Sequence, residues 1–261
     1  PSAGLAAERI RQRPVQHYET MLSSEAISRG PCESKSGRVF VAHSLGSECI
    51  AYYVAGTSAS STQTIFLLDG DVPPADAATP GKLDDYLKRL RQFLDQRARV
   101  HGVRYVFIAR PGVFGSSGNH GGAKRAPEIE TINAAVDEIK ARLKLERINL
   151  AGQSGGSTVA AGLLALGRKD IGCAALASGG FDMPDIVTRA RAKARQGSAD
   201  VERERSQLSE YFFDVLGATP RVAASAERKI YVLADPKDQR TPFDQQKRYA
   251  DTMTAAGHNA V

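Results

Sequence analysis

The stretch Arg147-Ile148-Asn149-Leu150-Ala151-Gly152-Gln153-Ser154-Gly155-Gly156-Ser157 constrains the fold of this chain more than any other. Ile148 to Ala151 read as a buried strand, and Val159, Leu163, Leu164 and Leu166 as a helix that begins only a few residues later. A strand that turns so sharply into a helix needs small residues. Gly152, Gly155 and Gly156 supply them.

Gly152-x-Ser154-x-Gly156 matches the pattern in which a strained strand-to-helix turn lifts a serine hydroxyl clear of the sheet. The helix N-terminus behind it presents free backbone N–H groups and a partial positive charge to an oxyanion forming beside the serine. Ser154 is therefore the candidate nucleophile. A dinucleotide-binding loop uses the same setting, but its middle and last glycines would fall at Ser154 and Ser157.

The flanking sequence alternates strands with amphipathic helices. Runs at 39–42 and 50–54, separated by a turn containing Gly46, suit an antiparallel hairpin. The run 64–68 is apolar throughout, as a strand buried on both faces would be, and ends at Asp69-Gly70-Asp71. A helix follows with Leu83, Tyr86, Leu87, Leu90 and Leu94 on one stripe, then a strand at 105–109 and a glycine-rich loop at 110–120. The next helix carries Ile129, Ile132, Val136, Ile139 and Leu143 at steps of three and four. Beyond the elbow, 173–178 and 229–234 read as strands. Thr241 as N-cap and Pro242 at the first helical position open a last helix, Gly257 ends it, and His258 leads into another strand. These elements predict an α/β fold: a mostly parallel central sheet with helices on both faces and an antiparallel N-terminal edge hairpin. Residues 1–37 form an N-terminal arm and 38–261 one domain. Within it, 181–228 is a mainly helical excursion before the last long strand, either a cap over the active site or plain surface packing.

At 261 residues and 42% hydrophobic content the chain suffices for one large domain, and no apolar run approaches membrane-spanning length. The 35 basic and 29 acidic residues give a net charge of +6, spread along the chain. The densest basic cluster, Arg189, Arg191, Lys193 and Arg195, alternates with other residues and reads as a solvated helix face, not a nucleic-acid surface. Cys32 and Cys49 flank the hairpin region closely enough to bridge, and Cys173, in an apolar strand, reads as a buried thiol. A start at Pro1-Ser2-Ala3 fits a mature periplasmic or secreted protein as well as a trimmed chain, with the cytoplasm as the other expectation.

With these elements in order, the chain resembles the α/β-hydrolase superfamily from about Val39 to its end. The resemblance is to the serine hydrolases around the prolyl-oligopeptidase, acylaminoacyl-peptidase and carboxylesterase groups. Ala151-Gly152-Gln153-Ser154-Gly155-Gly156 is similar to the family elbow. Asp69-Gly70-Asp71 falls where the family often has His-Gly and a second oxyanion donor, with Asp69 in place of the usual histidine. The resemblance implies that the backbone N–H groups of Gly155 and Asp71 form the oxyanion hole. Arg110 to Gly118 is similar to the glycine-rich loop that borders the family's active site, and is read as structural support.

In this family the partners follow in the order serine, acid, histidine, with the acid just past the strand after the cap. Asp238 holds that position, and Asp235 competes with it. His258 is the candidate base within the chain, but the family base sits beyond one further strand, so the expected histidine follows Val261. His120 and His43 are weaker candidates, and His101 and His17 read as surface residues.

The resemblance implies a serine hydrolase in which Ser154 attacks an ester or amide carbonyl and Asp238 orients the histidine. It implies no metal or organic cofactor, and a small-molecule ester or amide as the partner, not nucleic acid. Esterase chemistry is expected before peptidase chemistry because 261 residues leave no room for a propeller-sized N-terminal domain. A catalytically impaired binding protein and an acyltransferase are the alternatives. Neither the substrate nor the oligomeric state is readable from these residues.

Overall fold

Short β-prone runs form eight strands: β1 (Arg38–His43), β2 (Gly46–Ala55), β3 (Thr64–Leu68), β4 (Arg104–Ile108), β5 (Ile148–Gln153), β6 (Ile171–Ala177), β7 (Lys229–Leu233) and β8 (Asn259–Ala260). They are taken from a computed structural model that describes residues 28–44, 46–56, 63–77, 79, 81–120, 125–195, 207–238 and 240–261. The strands make one sheet in the order β1-β2-β4-β3-β5-β6-β7-β8. β2 pairs antiparallel with β1 and with β4, and every other pair is parallel.

Parallel neighbours need crossover connections. The helices are α1 (Arg29–Glu33), α2 (Pro74–Ala77), α3 (Lys82–His101), α4 (Ala126–Leu143), α5 (Gly155–Ala165), α6 (Met183–Arg195) and α7 (Phe243–Ala255). On one face of the sheet Phe66, Leu68, Val106, Leu150 and Ile230 pack against Ile132 and Val136 of α4, Val159 and Leu163 of α5, and Tyr249 and Met253 of α7. Each such side chain contributes roughly 1.5–3 kcal/mol by leaving water. All of α5 is buried, as its unbroken run of apolar and small residues requires. Gly162 lets it approach α4, since a Cβ there would stand 2.6 Å from Ile129 Cδ1.

Among the described residues the other face is covered by α3 only over β2 and β4, where Leu94 and Ala98 meet Ala55, Phe107 and Ala109. Toward β5, β6 and β7 it opens into a groove of about 550 Å³ lined by Ile65, Asn149, Ala151, Cys173, Ala175 and Lys229. Two expectations change for this reason. β3 alternates buried and half-buried residues and is not buried on both faces, and Cys173 is half-buried, not a core thiol. Desolvation still pushes the Cys173 thiol above its ordinary pKa, with Lys229 pulling the other way.

Cys32 and Cys49 are bridged, with Cα atoms 5.6 Å apart, so α1 is tied to β2. Residues 1–27 of the N-terminal arm, including His17, and 196–206 of the excursion lie outside the described residues. The described part of that excursion holds α6 and a 3₁₀ turn at Thr219–Arg221. Helix α7 starts one residue later than expected. Pro242 is its N-cap, and the Thr241 hydroxyl is taken up by Asp238 at 2.5 Å. Among the described residues no helix is long and apolar enough to cross a membrane.

Candidate active site

Ser154 sits between β5 and α5 with φ 52° and ψ −123°, a backbone conformation rare for a residue with a side chain. Its N–H donates to Ala177 O at 2.8 Å, and its carbonyl accepts the Ser157 N–H at 2.9 Å. The surrounding glycines make the turn sterically feasible. A Cβ at Gly152 would stand 2.6 Å from Ser157 Cα, and one at Gly156 would stand 2.5 Å from Asp69 O. The first amides of α5 lie beyond the reach of intrahelical acceptors, so the helix start offers donors and positive potential beside Ser154.

The loop after β3 faces this turn. A Cβ at Gly70 would come 3.3 Å from Ser154 Cβ, and one at Gly155 would collide with Asp71 Oδ1. Asp71 and Gly155 are thus in contact beside the serine. Arg110, 2% exposed, holds the loop there: its Nη1 donates to Asp71 Oδ1 at 2.8 Å and to Asp69 O at 3.3 Å. Its other donors engage both oxygens of Glu128 at 2.8 and 3.1 Å. Burial would lower the Arg110 pKa, but the two carboxylates outweigh it and hold the guanidinium charged. The sequence reading took the Arg110 loop as structural support and missed this clamp. Its signal is Glu128, an acid four residues before Ile132 on the buried stripe of α4.

A cleft of about 240 Å³ opens beside Gln153 and Gly70, between Leu83 and Tyr86 of α3 and Phe114. The Tyr86 hydroxyl donates to Asp69, whose other oxygen accepts the Gly70 N–H at 2.8 Å. Burial, aided by Asp69, raises the Tyr86 pKa.

Asp238 follows β7 and lies at the same end of the sheet. Its Oδ1 accepts the N–H groups of Arg240 at 2.9 Å and Thr241 at 3.1 Å. Burial would raise its pKa, but hydrogen bonds from Thr241, Arg240 and the Ser178 hydroxyl outweigh it and hold the carboxyl below its ordinary range. Ser178 directly follows β6, the strand next to the serine's own, so it links Asp238 toward the Ser154 turn. Asp235 shapes the turn: its side chain accepts the Lys237 N–H at 2.8 Å and its carbonyl the Asp238 N–H at 3.0 Å.

In solved structures the chain finds similar folds at low identity. It is similar to an esterase of Pyrococcus furiosus at TM-score 0.57 and 15% identity, over 90% of this chain and 84% of that one. Est1E from Butyrivibrio proteoclasticus, solved with ferulic acid bound, matches at TM-score 0.57 and 13% identity over 85% and 86%. An acylaminoacyl peptidase of Pyrococcus horikoshii matches at TM-score 0.53 and 13% identity over 85% of this chain and 35% of that one. The chain has the α/β-hydrolase fold. No protein-family model matches the sequence, and no curated protein matches it.

In this α/β-hydrolase fold the C-terminal ends of β3, β5 and β7 bring Asp71, Ser154, Gly155 and Asp238 to one edge of the sheet. His258 is not brought to them. It precedes β8, whose Asn259 pairs with Lys229 at the start of β7, so it lies at the opposite edge. Desolvation and the nearby Arg228 charge lower its pKa. His120 is buried with both ring nitrogens engaged, Nε2 accepting the Val72 N–H at 3.1 Å and Nδ1 lying 3.2 Å from Pro111 O. Burial, and after it the Arg110 charge, lower its pKa. His43 meets Thr131 Oγ1 at 2.8 Å, and His101 is exposed. Among the described residues no group of three or more His, Cys, Asp or Glu is placed to hold a metal ion.

Proposed function

We propose that this chain is a serine hydrolase that cleaves esters through an acyl-enzyme on Ser154. The observation that carries the reading is the left-handed backbone of Ser154 at the junction of β5 and α5, facing the Asp69–Asp71 loop. A histidine takes the Ser154 proton as Oγ attacks the ester carbonyl carbon, and Asp238 orients that histidine. The N–H groups of Gly155 and Asp71 stabilise the tetrahedral oxyanion. Collapse breaks the ester bond and the histidine protonates the departing alcohol. Water, deprotonated by the same histidine, then releases the acid and restores the serine.

Ester cleavage is favoured over peptide cleavage by the two esterases, which the chain spans over 84% and 86% of their length, against 35% of the peptidase. The Cys32–Cys49 bridge fits a periplasmic or secreted setting, where disulfides persist.

One observation favours a second reading. No described histidine reaches Ser154, as expected of an α/β-hydrolase-fold binding protein without turnover. Incubation with a fluorophosphonate, followed by intact mass and peptide mapping, separates the two. Label on Ser154 together with p-nitrophenyl ester turnover supports the esterase. An unlabelled Ser154 in protein that still binds acyl ligands supports the binding protein.

A further inference from the structure

On the α3 side of the sheet, beside the glycine-rich loop, lies a second recess of about 260 Å³. Its walls include Lys35, Arg38 and Arg91 above Tyr53, Phe107 and Phe114, and none of its lining residues is acidic. Other cations of this chain do find carboxylates: Arg29, Lys82, Arg110, Lys140, Arg142 and Arg168 form ion pairs.

Among the described residues none of the three recess cations has a carboxylate within ion-pair distance. Arg38 Nη1 reaches only the Cys49 sulfur, at 3.9 Å. The Arg91 guanidinium lies 5.0 Å from the centre of the Tyr53 ring. Asp95, one turn along α3, accepts the Tyr53 hydroxyl at 2.7 Å. Room for the Arg38 head is provided by Gly115, at φ +88°, where a Cβ would stand 3.0 Å from Nη2.

Three like charges that converge on one recess repel one another until an anion enters. Half-buried Phe114 gives the recess an aromatic wall, with Phe107, 2% exposed, packed behind it. Phe107 and Phe114 meet edge to face at 5.7 Å, and Phe114 keeps a left-handed backbone with its ring stacked on Tyr86 at 5.6 Å. Phe114 also lines the cleft beside Gln153, so its ring is the partition between the recess and the hydrolytic edge.

We infer that this recess binds a small aromatic anion, a phosphate or carboxylate carried on a flat ring, at a site separate from Ser154. Arg38 and Arg91 hold the charged group as charge-assisted donors, Lys35 adds a third charge at the mouth, and the ring packs against Phe114.

The test is isothermal titration of the full chain carrying Ser154→Ala with phenyl phosphate, benzoate, inorganic phosphate and phenol. One saturable site is expected for phenyl phosphate, weaker binding for inorganic phosphate, and none for phenol. Benzoate against phenyl phosphate decides which headgroup the cations prefer. Arg91→Gln, on the exposed face of α3, and Arg38→Met should each weaken phenyl phosphate by roughly tenfold or more, as expected for a lost charge-assisted contact. No saturable binding by about 5 mM, well past the roughly 1 mM range of weak specific sites, overturns the inference. Unchanged affinity in Arg91→Gln overturns it as well, and equal affinity for phosphate and phenyl phosphate overturns the aromatic part. Because Ser154 is absent from the titrated protein, none of these outcomes depends on the hydrolase reading, which stands or falls on fluorophosphonate labelling.

Discussion

Arg110 donates to Asp71 at 2.8 Å on the loop that faces Ser154, while Glu128 grips the same guanidinium from behind with both oxygens. The arrangement places a carboxylate against Gly155 and at once neutralises it. An uncompensated Asp71 charge there would oppose an oxyanion forming nearby.

Arg110→Met therefore has two separable effects. Turnover of a p-nitrophenyl ester should fall roughly 10- to 100-fold with KM little changed, because loop placement matters in the transition state. Stability should fall by about 3–5 kcal/mol, since the buried Glu128 loses its guanidinium partner. Adding Glu128→Gln should recover much of the stability and none of the turnover. Urea unfolding and steady-state kinetics on the single and double variants check both.

Ser154→Gly should abolish fluorophosphonate labelling and raise stability. Glycine adopts φ 52° without a side-chain penalty, so the relieved strain is worth about 1 kcal/mol, or roughly 2–4 °C in Tm. Thermal unfolding beside Ser154→Ala, which keeps the strain, measures the difference.

Asp238→Asn should lower turnover by about 10³- to 10⁴-fold through loss of histidine orientation. It should also change the acid limb of stability. The Asp238 carboxyl is held below its ordinary range, so its contribution is complete above the unfolded pKa near 4 and is lost as pH falls through the lower folded value. Urea midpoints at about pH 7 and pH 3 should differ less in Asp238→Asn than in the parent.

His120 gives a signature at higher pH. Burial lowers its folded pKa, so below the unfolded value near 6.5 the unfolded chain takes up a proton that the folded one refuses. Stability should decline from that pH downward until the folded value is passed. His120→Gln should flatten this part of the profile in urea titrations between about pH 7.5 and 5, even though it lowers stability overall.

Much of this architecture is local in origin and therefore legible. Gly152, Gly155 and Gly156 announce the sharp turn between β5 and α5 because only glycine tolerates the approach of Ser157, Asp71 and Asp69. Thr64 to Leu68 reads as a strand from its composition, with bounds matching those in the structure. The Arg110–Glu128 pair joins residues from a loop and a later helix, and pairing of that kind follows from packing, not from periodicity. Cys173 looked like a core residue because an apolar strand does not say which of its faces will be covered. His258 is instructive in another way. Parallel β7 and β8 put the residue just before β8 at the far edge, a deduction available once the strand order is assumed.

Among the described residues the groove over β5 to β7 leaves one face of the sheet open to solvent. Tyr231, 37% exposed, and Leu233, 55% exposed, extend an oily stripe on a chain of net charge +6. At low ionic strength that charge keeps copies apart, and beyond about 0.1 M salt the repulsion is cut off within about 10 Å. Salt would then act less as a buffer than as a glue, turning a dispersed preparation into one that adheres to hydrophobic resin, to glass and to itself.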